Sequence, residues 1–290
     1  MLYTMKNQEL TVTVSDVGAE LVSVRSTEGC EYLWQGDPAY WKGRAPLMFP
    51  ICGRLTDGKY TWEGKSYEMG THGFARHATF SVEAQTDTML RMTLRDSEET
   101  RKIYPFSFVL TVEYTLTGQE LSASVSVRNE GKGLLPAALG FHPGFNVPLD
   151  GGRFEDWSVE FENSASPDKL LLTETGFLTG IKEAFPLEDG RILRLRHELF
   201  DHDGIFLSRA DSCVTLRSEK SERFVRFRYP DMPYLGFWHA TKTDAPYVCI
   251  EPWCGLPDFD GKSGDFATKC DMFRLFPGQT VSRGYSIFFG

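Results

Sequence analysis

Two short stretches of the sequence each carry one ionisable side chain close to the end of an apolar run. The first, LGFHPGF at residues 139–145, places His142 between glycines and aromatic rings. The second, YVCIEPW at residues 247–253, places Glu251 directly before a proline and a tryptophan. An unperturbed imidazole has a pKa of about 6.5, near working pH, and carboxylates are rarely buried in an apolar strand without a partner. The two stretches therefore predict an acid–base pair that transfers protons over an aromatic floor.

The backbone around His142 is predicted to hold the imidazole at the end of a strand. Pro143 cannot donate a hydrogen bond to a sheet ladder, and it biases the preceding residue towards an extended conformation. Gly144 permits a turn that most other residues would find costly. A structural interpretation stays open for both candidates. A lone histidine is more often a core or surface residue than a catalyst, and Glu251 could belong to an internal ion pair.

Three further stretches place polar side chains at junctions between predicted elements, where side chains can reach a cleft. Arg54 ends an apolar segment that contains two prolines, His72 and Arg76 flank a Gly-Phe-Ala stretch, and Asp203 lies at the entrance to a strand. Each has a structural alternative, because an arginine can pair with an acid and Asp203 can form a turn. Trp238 is a core residue by default, although an aromatic face beside polar groups also suits the C–H face of a sugar ring.

Period-two alternation of apolar residues dominates the chain and predicts antiparallel strands. Alternation at 106–116, a turn at 117–120 and renewed alternation at 121–127 predict a hairpin. Further strands are predicted at 59–62, 66–69, 78–84, 89–94, 153–162, 192–197, 204–208, 213–218, 223–229, 235–239, 247–251 and 282–289. Only 96–103, with a few residues near 38–41, has helical character. The predicted fold class is all-β, a large antiparallel β-sandwich.

The composition limits the number of domains that we expect and the kinds of partner that the chain can bind. Its 290 residues are 41% hydrophobic and 13% aromatic, enough for a large core, and no linker or repeat divides residues 1–290, so one domain is predicted. A net charge of -9 argues against nucleic acid, and no apolar run approaches the roughly 18 residues of a membrane helix. The N-terminal residues lack the apolar centre of a signal peptide, so we expect a soluble, cytoplasmic protein. The six cysteines are expected to be reduced thiols, and the C-x4-C spacing of Cys249 and Cys254 is a poor zinc pattern.

Four motifs taken together are similar to those of the aldose 1-epimerase (galactose mutarotase) family, and most similar to its shorter bacterial branch. They are GRL at 53–55, HGFAR at 72–76, FHPGF at 141–145 and IEPW at 250–253, and similarity in order and spacing runs through nearly the whole chain. The resemblance implies a β-supersandwich with a sugar cleft and without a metal or organic cofactor. It also implies a reaction that interconverts the α and β anomers of a hexose by opening and closing the sugar ring.

Carried onto the matching positions, the resemblance implies a set of site residues. Glu251 resembles the catalytic base and His142 the catalytic acid, and His72 belongs with them beside the ring oxygen and hydroxyls. The substrate-binding candidates are Arg54, Asp203, Trp238 and Arg76.

Three alternatives stay open. The sugar could carry a phosphate, since a basic pocket could form from two or more of Lys42, Arg44, Arg54 and Arg76. A non-catalytic sugar-binding or sensing protein could keep the same fold, although binding alone does not require an acid–base couple. A glycoside hydrolase would need two carboxylates that flank the scissile bond. The expected partner is a small-molecule aldose, phosphorylated or not, bound by a monomer or a homodimer.

Overall fold

The alternating apolar and polar residues become antiparallel strands in the computed structural model, which describes residues 1–164, 166–262 and 264–290. The first half of the chain contains β1 (Leu2–Lys6), β2 (Leu10–Ser15), β3 (Leu21–Ser26), β4 (Leu47–Met48), β5 (Lys59–Trp62), β6 (Lys65–Glu68), β7 (Ser81–Gln85), β8 (Met89–Arg95), β9 (Phe108–Thr117), β10 (Glu120–Asn129), β11 (Leu135–Ala137), β12 (Gly140–Phe141) and β13 (Gly144–Asn146). The second half contains β14 (Trp157–Phe161), β15 (Asp168–Leu172), β16 (Leu178–Ala184), β17 (Ile192–Arg194), β18 (Ile205–Ser208), β19 (Cys213–Ser218), β20 (Phe224–Arg228), β21 (Tyr234–Trp238), β22 (Tyr247–Trp253), β23 (Gly264–Asp265), β24 (Phe273–Leu275) and β25 (Thr280–Phe289).

Two large sheets form the body of the fold. One has nine strands in the order β17-β14-β19-β20-β25-β10-β9-β8-β7, and the other has the order β16-β15-β18-β21-β22-β12-β4, with β13 also paired to β22. Three small sheets, β1-β2-β3, β23-β5-β6 and β11-β24, complete it. Only the contact of β23 with β5 is parallel among the described strand pairs. The predicted β-sandwich is confirmed.

Apolar side chains from the two large sheets meet in one buried cluster. Phe161 of β14 contacts Phe237 of β21 edge-on, with ring centroids 6.3 Å apart. Phe145 of β13 and Phe227 of β20 form a second such contact at 5.9 Å. Aromatic pairs of this kind contribute about 0.5–1.5 kcal/mol beyond the area they bury. The two sheets therefore share one apolar core, to which β22 contributes side chains.

Strand β22 is buried on both faces along its whole length. Its even-numbered residues Val248 and Ile250 join the core between the sheets. Successive side chains of a strand point to opposite faces, so Cys249, Glu251 and Trp253 lie on the face away from that core. The strand was predicted to end at Glu251, and this is wrong: it continues through Trp253, so the carboxylate lies inside the strand.

Most other predicted elements match the structure within a few residues. The helical character at 96–103 is confirmed by α1 (Glu98–Ile103), where the Ser97 hydroxyl accepts from the Thr100 N–H. Near 38–41 the helical character is limited to a single turn, in which the N–H groups of Tyr40 and Trp41 both donate to the Asp37 carbonyl. The predicted strand at 153–162 begins late, since a 3-10 turn at Phe154–Asp156 precedes β14. The other 3-10 segments are Thr56–Gly58, Ala75–His77 and His197–Phe200.

Several strands were not predicted from the sequence, namely β1, β2, β3, β4, β11, β13, β15, β16, β23 and β24. Within the described residues, no helix has the length and apolar character needed to cross a membrane.

A buried ion pair ties together loops on one side of the fold. The Lys269 ammonium donates to Asp258 Oδ1 at 2.6 Å, and both side chains are almost wholly buried. The second carboxylate oxygen of Asp258 accepts from the Thr56 N–H at 2.9 Å, and the Asp258 N–H donates to the Arg54 carbonyl at 2.9 Å. A single carboxylate thus fixes the loop that carries Arg54.

Replacing Lys269 with Met should lower the free energy of unfolding by about 3–5 kcal/mol, because it leaves the Asp258 carboxylate buried without its counter-charge. Urea denaturation measures this loss. Lys102→Met is the matched control, since Lys102 pairs with Glu99 on the exposed face of α1 and should change stability little. Equal stability of the two variants would show that the buried pair does not hold the loop.

Candidate active site

A cavity of about 260 Å³ opens on the face of β22 that points away from the core between the sheets. It is lined by Trp41, Gly53, Arg54, Thr71, His72, Arg76, His142, Leu172, Gly176, Asp203, Phe206, Trp238, Glu251, Trp253 and Pro257. All seven candidate residues of the sequence analysis are among them, from segments that are distant in the chain. Their roles remain predictions.

The two proton-transfer candidates meet in this cavity because both depend on β22. Glu251 lies on that strand, and His142 lies between β12 and β13, which both pair with it. His142 Nε2 is 3.3 Å from Glu251 Oε2. The residues are 8% and 1% exposed, and His142 Nδ1 and both Glu251 carboxylate oxygens have no hydrogen-bond partner within the described chain. Buried polar atoms without partners are rare, and both residues belong to the lining of the cavity.

Burial governs the protonation of both groups. Burial raises the pKa of Glu251 well above its ordinary range, and the negative charge of Asp203 raises it further. Burial also lowers the pKa of His142 to about 3, with a smaller contribution from the positive charge of Arg76. Each shift disfavours the charged form of its group. Burial therefore favours a protonated Glu251 carboxyl group and a neutral His142 imidazole.

Aromatic rings form one wall around the imidazole. Trp41 stacks on His142, with centroids 4.9 Å apart and ring planes 29° from parallel, and Trp238 meets the same imidazole edge-on at 5.7 Å. Trp253 lies beside His72 at 5.5 Å. The aromatic floor was expected, but Trp41 was not named as part of it. Its position in a turn, with no periodic pattern around it, gave no sequence signal for a role in the cavity.

Gly144 provides the space for this stacking. It was expected to form a turn, and this is wrong: Gly144 begins β13. A Cβ atom at this position would lie 3.2 Å from Trp34, 3.3 Å from the Trp41 ring and 3.4 Å from Cys249 Sγ. Glycine is therefore favoured at this position by close packing and not by backbone conformation.

His72 is held as a neutral donor beside His142, with ring centroids 5.6 Å apart. Its Nδ1 accepts from the Gly53 N–H at 3.0 Å, which leaves Nε2 to carry the proton of the neutral ring. Burial, followed by the charges of His142, Arg76 and Arg54, lowers the pKa of His72 well below its ordinary value. Its backbone has φ of 65°, a conformation that costs a non-glycine residue about 1–3 kcal/mol.

The charged residues occupy the outer part of the cavity. The Arg54 guanidinium donates to the Thr175 carbonyl at 2.8 Å, and neither Arg54 nor Arg76 forms an ion pair with a carboxylate in the described residues. Asp203 Oδ1 accepts from the next N–H in the chain at 2.9 Å, so its turn interpretation and its place in the cavity are compatible. Lys42 and Arg44, the other members of the suggested basic pocket, do not line the cavity.

The chain is similar to known proteins along nearly its whole length. The family model described as "Aldose 1-epimerase" matches residues 1–279. The chromosomal "Protein LacX" of Lactococcus lactis subsp. lactis is 36% identical over 298 residues, which cover 99% of each chain. The crystal structure of a "galactose mutarotase related enzyme" from Lactobacillus acidophilus superposes with a TM-score of 0.95 at 36% identity, over 100% of this chain and 97% of the other. A "Putative glucose-6-phosphate 1-epimerase" of Salmonella typhimurium strain LT2 is 26% identical over 183 residues, 60% of this chain and 57% of that protein.

The backbone next to His72 generates a stability prediction. Gly73 has φ of 74°, and a Cβ there would lie 2.1 Å from the Phe49 carbonyl oxygen. Gly73→Ala should therefore lower the free energy of unfolding by more than the roughly 1–3 kcal/mol of backbone strain alone. Chemical denaturation measures it, with Gly70→Ala as the control because no heavy atom lies within 4 Å of that position. If the two variants are equally stable, the backbone at His72 is not constrained as described.

Proposed function

The chain belongs to the aldose 1-epimerase family, and we propose that it interconverts the α and β anomers of a hexose by acid–base ring opening and closure. The observation that carries the proposal is the contact of 3.3 Å between His142 Nε2 and Glu251 Oε2 in the cavity wall. Three nitrogen and oxygen atoms of this pair are buried without a hydrogen-bond partner in the described chain. Such a pair offers a proton donor and a proton acceptor side by side to a bound molecule.

In the proposed reaction, Glu251 takes the proton from the C1 hydroxyl while His142 delivers a proton to the ring oxygen. The bond between C1 and the ring oxygen breaks, and the C1–O1 bond becomes the carbonyl of the open aldehyde. Rotation about C1–C2 presents the other face of the carbonyl, and the same proton transfers run in reverse to close the ring. Every proton that leaves the pair returns to it, so the cycle needs no hydride carrier and no covalent intermediate.

Sugar binding would move the proton of the pair from Glu251 to His142, so that Glu251 can act as the base and His142 as the acid. In the empty cavity, burial favours protonated Glu251 and neutral His142. A sugar hydroxyl that donates to the Glu251 carboxylate stabilises its ionised form and lowers its pKa. The proton then moves across the 3.3 Å contact to His142. Binding energy from the hydroxyls is in this way used to prepare the pair for reaction.

The remaining cavity residues would hold the sugar in register with the pair. His72 offers its Nε2 proton to a ring or hydroxyl oxygen, and Asp203 offers acceptors at the opposite side. Trp41 and Trp238 provide apolar faces for the C–H groups of the ring. Arg54 and Arg76 complete the set as donors to hydroxyl oxygens. These roles place each group type against its complementary part of a hexose.

A phosphorylated hexose is the second candidate substrate. Arg54 and Arg76 both line the cavity, and neither is neutralised by a carboxylate in the described chain, which supports this alternative because guanidinium groups bind phosphate well. The Salmonella relative is named as a putative glucose-6-phosphate 1-epimerase. Asp203 lines the same cavity and opposes a phosphate dianion, so we place the free hexose first.

Removal of either member of the pair should abolish catalysis. We expect the wild type to accelerate the polarimetric decay of freshly dissolved α-glucose or α-galactose, and His142→Ala and Glu251→Gln each to lose about 10²–10⁴-fold. Exposed residues supply the matched controls His77→Ala and Glu183→Gln, which should keep wild-type rates. Circular dichroism verifies folding. A folded Glu251→Gln or His142→Ala variant with wild-type activity would overturn the proposed reaction.

The pH dependence should report the charge of Asp203. The free enzyme is active while the pair holds one proton, so kcat/KM falls at alkaline pH when that proton is lost. Asp203 raises the pKa of Glu251, so Asp203→Asn should move this alkaline limb to lower pH in addition to weakening binding. Asp201→Asn, a neighbouring carboxylate that does not line the cavity with Glu251, should leave the limb in place. A limb that stays fixed in Asp203→Asn would contradict the coupling.

Substrate preference separates the two candidates. If free hexoses are the substrates, kcat/KM should be higher for glucose than for glucose 6-phosphate, and Arg54→Met should lower both values to a similar extent. A preference for glucose 6-phosphate that disappears in Arg54→Met or Arg76→Met would assign the phosphate instead. Absence of activity on both sugars in a folded protein would favour a sugar-binding protein.

A further inference from the structure

Cys249 lies beside His142 and Glu251, and the proposed reaction does not use its thiol. All three side chains are potential metal ligands. Cys249 is two residues before Glu251 on β22, so both side chains point to the same face of the sheet. One ligand atom from each of His142, Cys249 and Glu251 lies within 4.8 Å of the other two, and all three residues are buried. Imidazole nitrogen, thiolate sulfur and carboxylate oxygen are the three donor types that zinc takes in proteins.

The buried polar atoms without hydrogen-bond partners are a second observation, besides the spacing of the three side chains, that points to a ligand. Glu251, at 1% exposure, has both carboxylate oxygens without a partner in the described chain, and His142, at 8%, has Nδ1 without one. Both side chains belong to the wall of the cavity. Cys249 lies behind them, where the missing Cβ of Gly144 leaves room next to its sulfur.

We propose that Zn²⁺ binds His142, Cys249 and Glu251 and inhibits the enzyme reversibly by occupying its proton-transfer pair. Three protein ligands leave the fourth tetrahedral position facing the cavity, open to water. Zinc–ligand bonds of roughly 2.0–2.3 Å bring tetrahedral ligand atoms to about 3.2–3.8 Å from one another. The His142–Glu251 contact of 3.3 Å already meets this spacing, and the more distant atoms must approach by about 1 Å.

Charge and ligand type select the ion. On binding, the thiol releases its proton to solvent, and any proton on the carboxyl group leaves with it. The thiolate and carboxylate then neutralise the two positive charges of zinc, so the buried complex carries no net charge. Asp203 and Arg76 line the same cavity with opposite charges that offset each other. Mg²⁺ prefers an octahedron of oxygen ligands and keeps its water, so it should not bind here.

Cobalt substitution tests binding without any use of enzyme activity. Co²⁺ added to chelator-treated protein should produce a thiolate-to-cobalt charge-transfer band at a stoichiometry of one ion per chain, and Zn²⁺ should abolish the band by displacement. Cys249→Ala should lose the band, whereas Cys254→Ala and Cys270→Ser should keep it. Cys254 contacts Met232 outside the site, and Cys270 is the exposed thiol that would bind metal adventitiously. Cys249→Ser, which removes only the soft ligand, replaces Cys249→Ala if the latter does not fold.

Inhibition is the second readout, and this part alone rests on the proposed function. Zn²⁺ should raise the apparent KM for the sugar, chelator should restore the rate, and Mg²⁺ should have no effect. Cys249 does not line the cavity, so Cys249→Ala should keep its metal-free rate. It should require at least about tenfold more Zn²⁺ for inhibition, because loss of even an outer-shell partner costs that much affinity.

A cobalt band that persists in Cys249→Ala, no band in the wild type, or equal Zn²⁺ sensitivity of the wild type and Cys249→Ala would overturn the proposal. A wild type that shows the band but has no epimerase activity would instead reject the proposed function and retain the metal site.

Discussion

The rest of the site depends on the buried contact between Glu251 and His142. A carboxylate at 1% exposure that accepts no hydrogen bond in the described chain cannot hold its charge in the way a surface carboxylate does. An imidazole at 8% exposure is under the same constraint. Both groups are best accommodated in their neutral forms, with one transferable proton on the pair, which is also the state that an acid–base catalyst needs before each turnover. In the proposed mechanism, sugar hydroxyls supply the missing hydrogen bonds, so that binding and activation are one event.

The sandwich provides this constraint by burying β22 on both of its faces. One face of the strand joins the aromatic core between the two large sheets, which fixes its position. The other face carries Cys249 and Glu251 into a region covered by aromatic rings. The short strands β12 and β13 pair with β22 on either side of His142, so the imidazole is positioned by main-chain hydrogen bonds. Two residues that line the cavity, His72 and Asp203, have positive φ.

Much of the fold and all seven candidate positions could be predicted from the sequence, for different physical reasons. Period-two alternation predicts strands with one buried face, and the hairpin of β9 and β10 shows it most clearly. Strands such as β15 and β16 were missed, since most of their side chains are exposed or half-buried and show no alternation. Glu251 was found because a single acid in an apolar run is unusual, yet its position inside the strand was not, since Pro252 indicated an end.

Contacts between distant segments could not be predicted from local pattern. Trp41 enters the cavity from a turn, and only the folded chain shows that Gly144 must be small to admit it. Arg54 and Arg76 line the cavity whereas Lys42 and Arg44 do not, although all four carry the same charge and lie in similar sequence surroundings. Alternation along the predicted strand places Cys249 on the same face as Glu251, but its proximity to His142 depends on the pairing of β13 with β22, which only the folded chain shows.

The protonation state of His142 tests the central claim most directly. We would record ¹⁵N NMR spectra of histidine-labelled protein without sugar across the pH range, and assign His142 by its absence in His142→Ala. We predict a neutral imidazole throughout the neutral range, with protonation only at strongly acidic pH, since burial lowers its pKa to about 3. A His142 signal that titrates near the unperturbed pKa of about 6.5, or that is already protonated at neutral pH, would contradict the shared-proton pair.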